Sequence, residues 1–208
     1  MKKYITILLS VSMLSGTMTF NNVIKFYSNV KTMEGKFKQK FCEESTSTCI
    51  LTEGNFYTTN SDKFRIEIKS PYKQYIVSDG ENTIMYDVGS NIAIKVDAGQ
   101  MQNAFGMVDL VKQIDEYYSV VEKREEKKLT VFKLIPKNEN LKQQMDSIIV
   151  KVDSKGRMKY LNYYDAMGNE SEIIFLSVKY NRKISASKFK LDLPESVQII
   201  DQSQLQQR

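Results

Sequence analysis

The stretch that decides the fold class is Lys63-Phe64-Arg65-Ile66-Glu67-Ile68-Lys69. Polar and apolar residues alternate through it without exception, which predicts a β-strand with one buried face and one solvent-exposed face. The alternation places Phe64, Ile66 and Ile68 together on the buried face. The chain therefore contains a half-buried strand, and the flanking sequence indicates what kind of sheet surrounds it.

The segments on both sides of this strand are typical of further strands joined by tight turns. Turn residues occur at 78–81 and 89–91, between short apolar runs. Upstream, residues 36–57 form two more runs, and strands resume from 119 to 180 after a helical interruption between 97 and 118. About ten strands in this order predict one mainly β (α+β) domain, built on a single curved antiparallel sheet or open barrel.

Composition narrows the chemistry that this domain can perform. The chain has 208 residues and contains neither histidine nor tryptophan. Without histidine, Ser-His-Asp and Cys-His catalysis, His-ligated zinc and an imidazole base are excluded. No nucleotide-binding or hydrolase motif is present either. The sequence therefore favours a binding protein without a cofactor, and a carboxylate hydrolase of the cell envelope is the enzymatic alternative.

The first twenty residues are typical of a secretory signal peptide. A basic start at residues 1–3 precedes an apolar run at 4–14, and small or polar residues follow at 15–17. The apolar run is too short for a membrane-spanning helix, which needs about twenty residues. We expect cleavage between Gly16 and Asn21, which would export the remaining chain as a soluble protein.

The exported chain is predicted to form one domain at residues 21–201, followed by a frayed tail at 202–208. Loss of Lys2 and Lys3 with the leader lowers the net charge from +5 to +3. Charges of both signs are interspersed, and no basic cluster with interleaved aromatic residues is present. This pattern argues against a nucleic-acid partner.

Cys42 and Cys49 enclose six polar residues between two predicted strands. Export places them in an oxidising compartment, where such a pair is expected to form a disulfide. Their spacing differs from the C-x-x-C of redox-active pairs, and a metal site would lack histidine ligands. We therefore predict a structural disulfide.

Four parts of the chain, taken in order, resemble the periplasmic outer-membrane lipoprotein carriers (LolA family). They comprise a helix followed by a strand with a Phe-x-Gln pattern, two strand blocks, and a closing Phe-x-x-x-x-Pro segment. The matching residues are 23–27 with 33–40, 53–57 with 63–66, 75–80 with 85–87, and 187–191 with 193–197. Together they cover nearly all of the predicted mature chain.

The resemblance implies a half-open β-barrel with a helical lid over an apolar cavity. It also implies a periplasmic monomer that accepts the acyl chains of lipoproteins from an ATP-driven exporter of the inner membrane. An outer-membrane protein is the candidate acceptor. Exposing a sixteen-carbon chain to water costs about 12 kcal/mol, so transport needs a shield. The alternative is another envelope lipid-binding or sensor domain of the same fold.

The acyl-contacting residues implied by the resemblance come from the sheet and the lid, with ordinary core packing as the alternative for each. They are Phe56, Phe64, Ile66, Ile68, Ile76, Ile84 and Tyr86 on the sheet, and Phe105, Met107, Val108 and Val111 on the lid. The chain departs from the family at an Arg-Pro pair that latches the lid, because Asn60 and Ser61 occupy those positions. Arg65 is expected to face solvent and cannot replace the latch.

Overall fold

The computed structural model describes residues 17–60, 63–97, 114 and 116–202. The strands are β1 (Thr32–Glu43), β2 (Thr48–Thr59), β3 (Phe64–Ser70), β4 (Gln74–Ser78), β5 (Asn82–Asp87), β6 (Ile92–Asp97), β7 (Tyr118–Glu126), β8 (Leu129–Pro136), β9 (Met145–Val152), β10 (Met158–Asp165), β11 (Glu170–Tyr180) and β12 (Gln198–Asp201). The helices with described bounds are α1 (Phe20–Ser28), α2 (Glu139–Lys142) and a 3₁₀ helix (Ala186–Phe189).

All twelve strands belong to one sheet, in the order β12-β6-β5-β4-β3-β2-β1-β11-β10-β9-β8-β7. Neighbouring strands are antiparallel, except that β12 pairs parallel with β6. Because β12 and β7 form its two edges, the sheet is not closed into a barrel. The mainly β class and the single sheet are confirmed, whereas the four-residue strand β12 was not predicted.

The sheet curves around one apolar cluster. Buried side chains of β3 and β4 belong to the same cluster as those of β8 and β9, although these strand pairs are far apart in the sheet order. We call the side of the sheet that faces this cluster the inner face, and the opposite side the outer face. The core of the domain therefore lies on the inner face.

Helix α1 packs into the inner face. Its N-terminus is capped by Thr19, whose hydroxyl accepts a hydrogen bond from the Asn22 amide. Val23 and Tyr27, one turn apart, are both buried. Phe20 contacts Phe132 of β8 edge-on, with ring centroids 5.2 Å apart. This helix occupies part of the space that the curved sheet surrounds.

The predicted disulfide is present in the structure. Cys42 and Cys49 are direct partners on β1 and β2 and are bonded to each other. The turn between these strands also contacts the β10–β11 turn, since the Glu44 amide donates a hydrogen bond to Asn169 Oδ1 at 3.0 Å. The tip of the β1–β2 hairpin is thus held both by the bond and by a neighbouring turn.

Replacing both cysteines by serine should lower the free energy of unfolding by at most about 2.5 kcal/mol, the chain-entropy value for so short a loop. Urea denaturation of the oxidised protein and of the double serine variant measures the difference. A loss well above this value would show that the bond also maintains the native hairpin.

Candidate functional site

Most of the predicted sheet residues lie on the inner face. Directly opposite residues share a face of the sheet, and Ile66 lies opposite both Phe56 of β2 and Ile76 of β4. The buried members of this group are Phe56, Phe64, Ile66 and Ile76. Ile68 packs against the cluster and is partly buried. The structure therefore brings these five side chains together in one apolar surface.

Ile84 and Tyr86 lie on the outer face, away from this surface. Ile84 is opposite Val77, which alternates with the inner residue Ile76 along β4. The Tyr86 hydroxyl donates a hydrogen bond to Asn91 Oδ1 at 3.1 Å on the outer side. The expectation that Ile84 and Tyr86 share a surface with Phe64 is therefore wrong.

The inner residues of β5 are instead Thr83, Met85 and, at the end of the strand, Asp87. Met85 lies opposite Ile76 and packs, partly buried, against the apolar cluster. Thr83 lies opposite Ser78, two residues from Ile76 along β4, and is fully buried. The inner face of β5 thus presents one hydroxyl, one thioether and, at its end, one carboxylate.

The predicted lid residues Phe105, Met107, Val108 and Val111 lie outside the described residues. The helical residue that follows them, Ile114, is described and belongs to the apolar cluster, with 1% of its surface exposed. Part of the predicted helical interruption therefore contacts the inner face.

The second half of the sheet supplies inner-face residues that were not assigned to the site. They are Phe132 and Leu134 of β8, Ile148 and Val150 of β9, and Phe175 of β11. The sequence pattern alone could not select them, because apolar residues also occupy adjacent positions in these strands. The apolar surface consequently spans both halves of the sheet.

A small recess lies between α1 and the sheet, and its enclosed space of about 10 Å³ is about that of one water molecule. Its lining residues are Tyr27, Met33, Met158, Phe175, Val178 and Tyr180. Sites for drug-sized ligands usually measure about 300–1,000 Å³, so the recess is too small for a long acyl chain. None of these described lining residues carries a carboxylate.

The two tyrosines of the recess are uncharged. Burial raises the pKa of Tyr27 well above its ordinary value, and burial likewise raises the pKa of Tyr180. The Tyr27 hydroxyl accepts a hydrogen bond from the Met158 amide at 3.1 Å, which joins α1 to β10. The recess is therefore apolar apart from neutral phenol groups.

The outer face is crossed by the C-terminal segment, residues 181–197, which leads to the edge strand β12. Arg65 Nη1 donates hydrogen bonds to the carbonyl oxygens of Lys188 and Lys190, at 3.3 and 3.2 Å. Its Nε also forms an ion pair with Glu67 at 2.7 Å. Arg65 is on the outer face as expected, but only 13% of its side chain is exposed, so the prediction that it faces solvent is wrong.

Of the two positions that correspond to the family's Arg-Pro latch, Asn60 is among the described residues. The Asn60 amide donates a hydrogen bond to the Lys31 carbonyl at 2.9 Å, which joins the end of β2 to the start of β1. Ser61 lies outside the described residues. Arg65, on the outer face, holds the C-terminal segment and does not reach the inner face.

The carboxylate of Glu67 is stabilised in its charged form. Burial raises its pKa. This effect is outweighed by hydrogen bonds from Asn55 and Arg65 and by the charges of Arg65 and Lys188, so the pKa lies below its ordinary value. Such a group stabilises the fold above its unfolded-state pKa and loses this contribution as the pH falls through its folded-state pKa.

The stability difference between the wild type and Glu67→Gln should therefore depend on pH. We expect the wild type to be more stable at pH 7 and this advantage to shrink as the pH falls below the ordinary value of 4.5. Urea denaturation of both proteins across this range provides the measurement. A difference that stays constant with pH would contradict the role of the Glu67 charge.

Comparisons with known proteins identify the family. The family described as "Outer membrane lipoprotein carrier protein LolA" matches residues 28–192. The outer-membrane lipoprotein carrier protein of Pseudomonas putida is 26% identical over 194 residues, which cover 92% of each chain. That of Francisella tularensis subsp. novicida is 26% identical over 187 residues, which cover 88% of each chain.

Solved structures share the fold at low identity. An uncharacterized conserved protein from Thermus thermophilus is 9% identical with a TM-score of 0.57, over 88% of this chain and 96% of that chain. MucB is 14% identical with a TM-score of 0.50, over 83% of this chain and 62% of that chain. No helix in the described ranges is long and apolar enough to cross a membrane. Because the family match begins at the end of α1 and covers strands β1 to β11, the chain belongs to the outer membrane lipoprotein carrier protein LolA family.

Proposed function

We propose that this chain binds the acyl chains of lipoproteins on the inner face of its sheet and carries them through the periplasm from the inner to the outer membrane. The observation that supports this proposal is the apolar inner face, which continues from β4 across to β8 in a member of the carrier family. A continuous apolar surface can bury an acyl chain and so remove its apolar area from water.

Cargo binding requires the inner face to open. The enclosed space of the recess, about 10 Å³, is far smaller than usual ligand sites, and α1 and Ile114 occupy the neighbouring space. An acyl chain that binds an open form more tightly than the closed form shifts the population toward the open form. Loading and release are then changes in the balance between these two forms.

The energy for loading comes from a partner. The sequence contains no phosphate-binding motif of the P-loop type. An ATP-driven exporter of the inner membrane would therefore supply the cargo, and an acceptor at the outer membrane would remove it. The carrier itself leaves the cargo chemically unchanged and acts as a shield.

The location of the acyl site can be tested by fluorescence. The chain contains no tryptophan, so one introduced tryptophan reports its surroundings without background. Met85→Trp places it on the inner face, and Ile84→Trp places it on the outer face of the same strand. We expect a lipopeptide with brominated acyl chains to quench the emission at position 85 strongly and the emission at position 84 only slightly.

The same peptide without acyl chains is the control and should quench neither variant. Equal quenching at both positions, or none at either, would contradict the inner-face site. Depletion of the protein from its cells tests transport, because lipoproteins should then accumulate in the inner membrane. Unaffected sorting would favour another envelope lipid-binding or sensor role.

A further inference from the structure

Two hydroxyl side chains lie side by side on the inner face. Ser78, the last residue of β4, is the direct partner of Thr83 on β5. Phe64 of β3 and Val96 of β6 occupy the same row on either side of the pair. Both hydroxyl residues have 0% of their surface exposed. They form a small polar site between two apolar residues of the row.

The two hydroxyl groups differ in their hydrogen bonding. Ser78 Oγ accepts a hydrogen bond from the Gly80 amide at 3.3 Å. Thr83 Oγ1 has no hydrogen-bond partner among the residues that the structure describes. Most buried polar atoms in native proteins are paired, so an unpaired one calls for an explanation. Valine has the same shape and would occupy this position without the cost of an unpaired hydroxyl.

The position of the pair matches one end of a bound acyl chain. The inner-face residues of β3 extend about 13 Å along the strand, from Phe64, which lies beside the hydroxyl pair, to Ile68. An acyl tail occupies about 15 Å in a membrane, half of the hydrocarbon thickness. A tail that begins at Thr83 would therefore run along Phe64, Ile66 and Ile68, and its carbonyl group would lie at the hydroxyl pair.

We propose that Thr83 donates a hydrogen bond to the carbonyl oxygen of an ester-linked acyl chain and so fixes the polar end of the ligand at this end of the inner face. This inference rests on the proposed function. It makes Thr83 a specificity residue that distinguishes acyl esters from plain alkyl chains. Lipoproteins and diacyl phospholipids share this ester chemistry, and the experiment separates the two sources.

The test compares two lipopeptides that differ only in carrying ester-linked or ether-linked chains, because an ether lacks the carbonyl oxygen. We expect the wild type to bind the ester form about fivefold more tightly, the value of one buried neutral hydrogen bond. Thr83→Ser retains the hydroxyl and should keep this preference. Thr83→Val should lose it while still binding the ether form as the wild type does.

The stability of the unliganded protein provides an independent measurement. Since Thr83→Val removes an unpaired buried hydroxyl, its melting temperature should rise by about 2 °C. A lower melting temperature would indicate a protein partner for the hydroxyl and count against the proposal. Thr83→Ala is a second hydroxyl-free variant for the binding comparison if the valine variant folds poorly.

The binding outcomes separate the two proposals. Binding of both lipopeptides without an ester preference, or a preference that persists in Thr83→Val, overturns the role of Thr83 and leaves the carrier function intact. If the wild type binds neither lipopeptide, the lipoprotein cargo is overturned. In that case a diacyl phospholipid bound more tightly than its ether analogue supports the Thr83 contact, and equal or absent binding of these two lipids overturns it as well.

Discussion

Met85→Glu should lower the affinity for an acylated lipopeptide by about 100-fold or more, whereas Ile84→Glu should change it by about twofold at most. The two residues are neighbours on β5 and are both partly buried, but only Met85 packs against the apolar cluster. An unpaired carboxylate in an apolar site costs several kcal/mol, and about 3 kcal/mol corresponds to 100-fold in affinity. On the outer face the same charge stays hydrated and has little effect.

Fluorescence titration with a labelled lipopeptide gives both affinities, and thermal unfolding establishes that each variant is folded. Met85→Leu is the apolar control and should bind the lipopeptide as the wild type does. If Ile84→Glu lost as much affinity as Met85→Glu, binding would depend on the fold in general. If Met85→Glu bound normally, the inner face of β5 would not contact the acyl chains.

Strand β3 could be placed from the sequence because its two faces differ in chemistry. Phe64, Ile66 and Ile68 face the cluster, and the residues between them, Arg65 and Glu67, form an ion pair on the outer face. Local alternation was sufficient to identify the buried face. Strands β8 and β9 lack this clear alternation, because apolar residues also occur at adjacent positions in both strands.

Strand β5 could not be placed in this way. Apolar residues occur at adjacent positions in Thr83-Ile84-Met85-Tyr86, so either alternate set could face the core. A shift of one residue moves every side chain to the opposite face, and the choice of Ile84 and Tyr86 made that error. The pairing of Ile84 with Val77, which the β4–β5 turn determines, is what places Met85 on the inner face.

The environment of Arg65 depends on residues far away in the sequence. The carbonyl groups that it binds belong to Lys188 and Lys190, more than 120 positions later. Alternation shows on which face a residue lies, but it does not show what covers that face. The short strand β12 also depends on a segment far away in the sequence, because its four residues form a strand by pairing with β6.

Gly54→Ala should lower the free energy of unfolding by about 3 kcal/mol, the upper range for overpacking that forces backbone shifts. Gly54 lies on β2 opposite Ile68 of β3. A Cβ atom at this position would overlap the backbone carbonyl oxygen of Glu67 and lie 3.1 Å from the Phe37 ring. The carbonyl group is part of the strand backbone, so relief would require β2 and β3 to separate.

Gly89→Ala is the matched control for this substitution. A Cβ atom there would meet only Asp87 Oδ1, at an ordinary contact distance of 3.4 Å, so we expect a change within about 0.5 kcal/mol. Urea denaturation measures the free energy of unfolding of both variants. The lipopeptide titration should show that Gly54→Ala also weakens binding, because the pairing of β2 with β3 positions Phe56 beside Ile66. Equal stability of the two variants would mean that β2 and β3 can move apart without cost. In that case the acyl site would not depend on the close approach of these strands.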